Sequence, residues 1–341
     1  MGGRAPERVI AASVWFPQAR AVELRNETVG APGAGEIRVR ALASGLSHGT
    51  EMLVFRGEVP PHLALDLPTL AGSYGFPIKF GYASVGQIVA VGAGVKALAP
   101  GDRVFVHHPH QDEYVVNAAS AVPLPERMPA EIGVFLANCE TALNVVLDAH
   151  PRLGEEVAVF GQGVVGLLVT QLLQQAGASV TAVEPIALRR ELALRCGADQ
   201  AVAPEDALAR IAERTGGRGA DVVIEASGNA GALQLAIDAA ASGSSVIVCS
   251  WYGTKPVSLD LGTRFHRERL RLVSSQVSQV DPALAPRWDR ARRLATATTL
   301  LGELLLGPLI THRIPFAHAA DAYELVDRRP EETVQVILTY D

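Results

Sequence analysis

The chain of 341 residues is 48% hydrophobic and 19% charged, with a mean hydropathy of +0.20. This excludes extensive disorder and leaves one large or two smaller compact domains. A formal net charge of −6 gives no general attraction for nucleic acid or an anionic membrane surface.

In chain order, the N-terminal stretch MGGRAPERVIAASVWFPQAR lacks a continuous apolar core. No run of about 18 uncharged apolar residues appears anywhere, so neither a targeting segment nor a membrane partner is expected. The runs EIRVRAL (36–42), ASVGQIVAVG (83–92), DRVFV (102–106) and EYVV (113–116) read as strands separated by the turns APGAG and LAPGD. Between the last two strands lies FVHHPHQDEY (105–114), with His107, His108 and His110 in four positions. Three readings fit it: a metal site, a proton relay, or a solvated loop. His107 continues the register of Arg103 and Phe105, whereas Pro109 breaks the ladder and lets His108 and His110 project.

From about residue 130, strand and helix alternate. EEVAVF (155–160), GVVGLLVTQLLQQAG, SVTAVE (179–184), LRRELALRCGAD, DVVIEAS (221–227), NAGALQLAIDAAAS and SSVIVCS (244–250) follow one another. Repeated βα units with nearly continuous apolar strands predict a parallel sheet covered on both faces. The basic cluster RFHRERLRL (264–272) reads as the polar side of a local element, with phosphate contact as the alternative. A helix over PRWDRARRLATATTLLGELL and a strand ETVQVILTY close the chain. The cysteines Cys139, Cys196 and Cys249 are odd in number, far apart and without CxxC spacing. They point to neither a disulfide framework nor a thiolate zinc site, and they fit a reducing cytoplasm.

GQGVVG (161–166) follows the strand EEVAVF and opens a long apolar helix, and Glu184 ends the next strand 18 residues after Gly166. This is the context of a dinucleotide fingerprint. Gly161 permits the tight turn, Gly163 lets the backbone approach a diphosphate, and Gly166 allows close helix–strand packing. Val164 and Val165 within this turn, and Ser227 at the end of the strand DVVIEAS, are further cofactor-binding candidates. Glu184 can accept hydrogen bonds from a ribose 2′-hydroxyl and would repel a 2′-phosphate, which favours NAD over NADP, although Arg189 and Arg190 follow closely.

SGLSHGTE (44–51), GYASVGQIVAVGAGVKALAPGDRV (81–104), GQGVVGLL, RRELALRCGAD and DVVIEASG together resemble the medium-chain dehydrogenase/reductase family, the zinc alcohol dehydrogenase relatives. The resemblance covers nearly the whole chain and implies an α/β fold. A Rossmann doubly wound parallel sheet (139–275) would sit beside a GroES-like β-barrel catalytic domain built from both chain ends (1–138 and 276–341), with the active site in the cleft between them. It also implies a homodimer or homotetramer.

The departures from that pattern concern metal. Where the family carries a catalytic cysteine this chain has Ser47 and His48, with Glu51 in the acid position; where it carries Gly-His-Glu the pair is Tyr82 and Ala83; a third ligand would fall near Ala137, two positions from Cys139. The four-cysteine lobe is replaced by FVHHPHQDEYVV. The resemblance is therefore to a zinc-independent bacterial branch, with distant likeness to the bacteriochlorophyllide dehydrogenase type. A site rebuilt from His48, Glu51 and a histidine of HHPH is the metal-binding alternative.

Without zinc, side chains must supply hydrogen bonds and a proton. The candidates are Ser47, His48, Thr50, Glu51, Tyr82, His108 and His110, with Lys79 three residues from Tyr82. Each has a plainer reading: an ordinary hydrogen-bonded His48, a packing Tyr82, a Glu51 paired with Arg56, a solvated HHPH loop. On the cofactor side the resemblance places Thr141 near the nicotinamide, beside Asn138, and Arg189 is a further candidate because it follows Glu184 closely in sequence. Trp251 and Tyr252, after the strand SSVIVCS, either line the cleft for a ring-shaped substrate or pack in the core. The expected activity is NAD(H)-linked hydride transfer to or from a secondary alcohol or ketone. Enone or quinone reduction and non-catalytic nucleotide binding are the alternatives.

Overall fold

The computed structural model describes residues 8–65 and 69–341, so the first seven residues of the stretch read for a targeting signal lie outside the described residues. Two compact units form, one of residues up to Ala137 together with Ile310–Asp341, the other of Asn138–Leu309. The first unit begins with β1 (Val9–Phe16), β2 (Glu23–Val29), β3 (Glu36–Gly45), α1 (Thr50–Arg56), β4 (Ile78–Lys79), β5 (Ser84–Val91), β6 (Arg103–Val106), β7 (Glu113–Asn117), β8 (Ala121–Pro123) and α2 (Ala130–Gly133). β1 is central to a small sheet in the order β2-β1-β4. Its Val14 and Phe16 are fully buried, as period-two alternation demands of a strand with one face on a core.

The second unit holds α3 (Leu136–Ala149, which starts just before it), β9 (Glu156–Phe160), α4 (Val164–Gln175), β10 (Ser179–Val183), α5 (Ala187–Arg195), β11 (Gln200–Val202), α6 (Ala207–Thr215), β12 (Ala220–Glu225), α7 (Ala230–Ala239), β13 (Ala240–Val248), β14 (Arg271–Ser274) and α8 (Arg290–Leu300). Its strands pair in parallel in the order β11-β10-β9-β12-β13-β14. The chain order thus reverses between β9 and β12, the switch point where such sheets bind ligands. Two ends differ from expectation. α8 starts only at Arg290, because the Asp289 carboxylate caps it by accepting from Arg292 N at 2.7 Å. α7 stops at Ala239, because Ala240 already pairs with Ala220 as the first residue of β13. In the basic cluster, Arg264 and Arg271 donate to the carbonyls of Ala240 and Gly243, so these two guanidiniums cap backbone.

Residues 276–309 group with this unit and not, as expected, with the chain ends. The cause is a buried anchor. Arg293, 1% exposed, donates to Glu140 Oε1 (3.0 Å), Asn144 Oδ1 (2.6 Å) and the Gln279 carbonyl (3.2 Å), which ties α8 to α3. Removing either partner of such a pair would strand a buried charge. The stretch Ala130–Ala149 is long and apolar enough to cross a membrane by length and composition, but 56% of it is buried and its Glu140 is held by Arg293.

The chain then returns to the first unit as β15 (Ile310–Pro315), α9 (Ala319–Arg328) and β16 (Gln335–Thr339), completing a sheet in the order β15-β16-β3-β5-β6-β8 with β7 on β3. Phe16, Phe55, Phe80, Tyr323, Val336 and Leu338 form one apolar core that draws β1, α1, α9 and β16 together. The α/β class, with a doubly wound sheet and a β-rich unit from both chain ends, is as expected.

Candidate active site

In the first unit the turn before α1 presents Ser47, His48 and Thr50, all half-buried, whereas Glu51 is completely buried. Glu51 does not pair with Arg56, whose Nε donates to Asp327 at 2.6 Å. Instead its Oε2 accepts from Ser47 N (3.0 Å), and its Oε1 meets His110 Nε2 at 2.7 Å and accepts from the Tyr323 hydroxyl. The other ring nitrogen of His110 lies 2.6 Å from Ser44 Oγ, itself 2.8 Å from the Tyr340 hydroxyl. Ser47 N–H and Tyr323 O–H both donate to Glu51, so His110 Nε2–H is the natural third donor and Nδ1 the acceptor from Ser44. A buried carboxylate requires such donors.

His110 reaches this position because its loop is stitched to β1 and β3. Val14 N donates to the His110 carbonyl, Asp112 N to Ala12 O, and Ala41 N to Asp112 O. Gly81 (φ +127) makes the room: a Cβ there would lie 2.8 Å from His110 Cδ2.

The 105–114 loop is therefore not solvated. His107 is half-buried with Nδ1 3.1 Å from the Tyr82 carbonyl, while His108 and His110 are buried. The two do not form a common relay. His108 stacks on Tyr114 at 3.8 Å between centroids, and burial pushes its pKa down to about 3, so it stays neutral and packs. Lys79, set beside Tyr82 on sequence grounds, pairs with Glu27 at 2.8 Å. Tyr82 is half-buried, with the side chains of Ser47 and Thr50 beside its hydroxyl, and burial holds its phenol well above the usual tyrosine range.

The positions where the resemblance puts zinc ligands hold a poor donor set: Ala83 and Ala137 offer no donor atom, Tyr82 presents a phenol, and the buried Cys139 thiol donates to the Ala297 carbonyl. Among the described residues no group of three or more His, Cys, Asp or Glu could hold a metal ion, the proposed set of His48, Glu51 and a loop histidine included.

In the second unit the three glycines between β9 and α4 differ physically. Gly161 has φ +92 and a Cβ there would sit 2.7 Å from Ser227 backbone; at Gly166 it would sit 2.0 Å from the Gly161 carbonyl oxygen; at Gly163, which caps α4, it would meet nothing within 4 Å. Open space over a helix N-terminus is what a diphosphate needs. Val164 is buried and Val165 half-buried.

Glu184 is 3% exposed and accepts from Gln162 N (2.7 Å) and Ile186 N (3.0 Å), which fastens this acid to the glycine turn. Arg190 donates to the carbonyls of Glu184 and Pro185; Arg189 is half-buried nearby. At the end of β12 the buried Glu225 gathers Ser227 N, Ser227 Oγ and Gly228 N on Oε1, holding the exposed Ser227 beside Gly161. Thr141 is half-buried on α3, next to the anchored Glu140. Tyr252 packs against the core of this unit, while Trp251 is 38% exposed. The groups missed from sequence are Ser44, Gly81, Tyr323 and Tyr340; a tyrosine on the buried face of α9 was the available signal for Tyr323.

Residues 33–126 match the model for the alcohol dehydrogenase GroES-like domain, and residues 164–295 that for zinc-binding dehydrogenases. The D-guloside 3-dehydrogenase of Escherichia coli K12 is 32% identical over 331 residues, covering 90% of this chain and 93% of the relative. The 2-desacetyl-2-hydroxyethyl bacteriochlorophyllide A dehydrogenase of Rhodobacter capsulatus is 28% identical over 315 residues, covering 88% and 89%. The crystal structure of an alcohol dehydrogenase from Escherichia coli CFT073 complexed with NADH shares the fold, at a TM-score of 0.79 and 21% identity over 97% of this chain and 99% of that one. With a glycine turn and a GroES-like sheet in place, the chain belongs to the medium-chain dehydrogenase/reductase family and is an oxidoreductase.

Proposed function

We propose that this oxidoreductase is NAD(H)-dependent and metal-free, and that it interconverts a secondary alcohol on a ring, such as a glycoside carbon, with its ketone. The observation that carries the reading is the hydroxyl cluster of Ser47, Thr50 and Tyr82 where zinc ligands would otherwise stand. The guloside dehydrogenase relative supports a ring substrate. A cytoplasmic homodimer or homotetramer belongs to the same proposal, supported by three free cysteines and by the family.

Bound nicotinamide supplies or accepts the hydride. As hydride reaches a carbonyl carbon, charge grows on its oxygen, and preorganised donors stabilise that charge. Tyr82, held protonated by burial, and Ser47 can donate to this oxygen. We assign the accompanying proton to His48, the histidine of the same turn, because imidazole exchanges protons at neutral pH. Glu184 would hold the adenosine ribose of a bound dinucleotide by accepting from its 2′-hydroxyl, and its charge would repel a 2′-phosphate. The nearby Arg190 is committed to backbone carbonyls.

Initial rates with NADH and NADPH against keto-glycosides, cyclic ketones, linear ketones and enones test this. Ring ketones should turn over, with kcat/KM at least about tenfold higher for NADH, the scale of one well-placed charge contact. Turnover confined to enones would overturn the carbonyl reading, and a preference for NADPH the cofactor assignment.

A further inference from the structure

We propose that Tyr323 and His110 are positioning residues that hold the Ser47–Thr50 turn through Glu51, an assignment that rests on the dehydrogenase reading above. Glu51, Tyr323 and His110 are each 0% exposed, so they act through other groups. Three donors from distant parts of the chain converge on one carboxylate: Ser47 N from the turn itself, His110 Nε2 from the loop before β7, and the Tyr323 hydroxyl from α9. Glu51 returns this grip to the turn, because one of its oxygens is the acceptor for the Ser47 amide.

The two outer groups are themselves fixed. The Tyr323 ring meets Phe16 edge-on at 5.0 Å and stacks on Phe55 at 5.3 Å. Burial and the Glu51 charge keep its phenol protonated, so it is a permanent donor. His110 is held at Nδ1 by Ser44, at its carbonyl by Val14 N, and at its ring edge by Gly81. Of the three donors only Ser47 N comes from the half-buried turn that carries the hydroxyls of Ser47 and Thr50. A metal ion could order such a turn; here a buried hydrogen-bond centre does so. Small misplacements of reacting groups cost large factors in rate.

Tyr323→Phe removes one hydroxyl and keeps the aromatic packing. We expect kcat to fall about tenfold to a hundredfold, the scale of a lost hydrogen bond to a buried charge. The NADH dissociation constant should stay unchanged and amide exchange over residues 46–50 should quicken. Glu51→Gln should lower kcat at least as far, and Tyr323→Phe/Glu51→Gln should lie close to Glu51→Gln alone, since both act through one group. Unchanged kcat and unchanged exchange in Tyr323→Phe, or fully additive losses in the double variant, would overturn the proposal. A merely structural role would lower Tm while leaving kcat per NADH-binding site intact. If Tyr323→Phe does not fold, His110→Gln is measured in the same way with the same criteria. Absence of NADH turnover in the wild type would instead defeat the dehydrogenase reading, and the exchange arm would still decide the positioning role.

Discussion

His108 and His110 are two residues apart, yet one lies flat on Tyr114 and the other reaches Glu51. Sequence alone shows the cluster and the break at Pro109. It does not show which ring enters the polar centre, because that depends on β1, about a hundred residues away, accepting the loop through Val14 and Ala12. The difference has a pH signature. An unfolded histidine titrates near 6.5, while His108 in the fold titrates at about 3. Between those values the unfolded chain binds a proton that the folded chain refuses, so stability falls as pH falls through this window. His108→Phe removes the effect and retains stacking. Between pH 7 and pH 5 it should lose about 2 kcal/mol less stability than the wild type, read from denaturant unfolding at both pH values. Equal losses would return His108 to the list of titrating groups.

At the scale of elements, the βα alternation of the central unit was readable because buried parallel strands are continuous apolar runs and the glycine turn has a fixed spacing. β2, β14, β15 and α9 were not, since each is short or rich in polar residues. The glycine turn itself makes a separable prediction. Gly166→Ala drives a Cβ into the Gly161 carbonyl and should destabilise the fold by about 1–3 kcal/mol, as overpacking does. Gly163→Val points into open space; it should leave Tm within a few degrees and weaken NADH binding at least about tenfold by blocking the diphosphate. Fluorescence titration and thermal unfolding of the pair check this. A Gly163→Val protein that binds NADH normally would move the cofactor away from the turn.

Across the whole molecule, the sequence placed a Rossmann sheet in the stretch of chain between the two segments of a β-rich unit. It misjudged where the chain returns, because the ion pair of Arg293 with Glu140 that recruits α8 to the central unit joins residues 153 positions apart. The candidate site was legible as a set of residue types on the family's ligand turns, including Ser47, Glu51 and Tyr82. Its organising contact from Tyr323 was not, because α9 carries no motif and only the tertiary core brings it to Glu51. In the proposed metal-free reaction, hydroxyl donors and a buried carboxylate centre do the work of a metal in a chain that matches the model for zinc-binding dehydrogenases. The most direct test of this proposal is the rate of NADH-dependent ketone reduction by protein treated with a strong chelator, with zinc measured in the same sample. Full turnover is expected at far less than one zinc per chain. Activity that disappears with the metal and returns on adding one equivalent of zinc would contradict it.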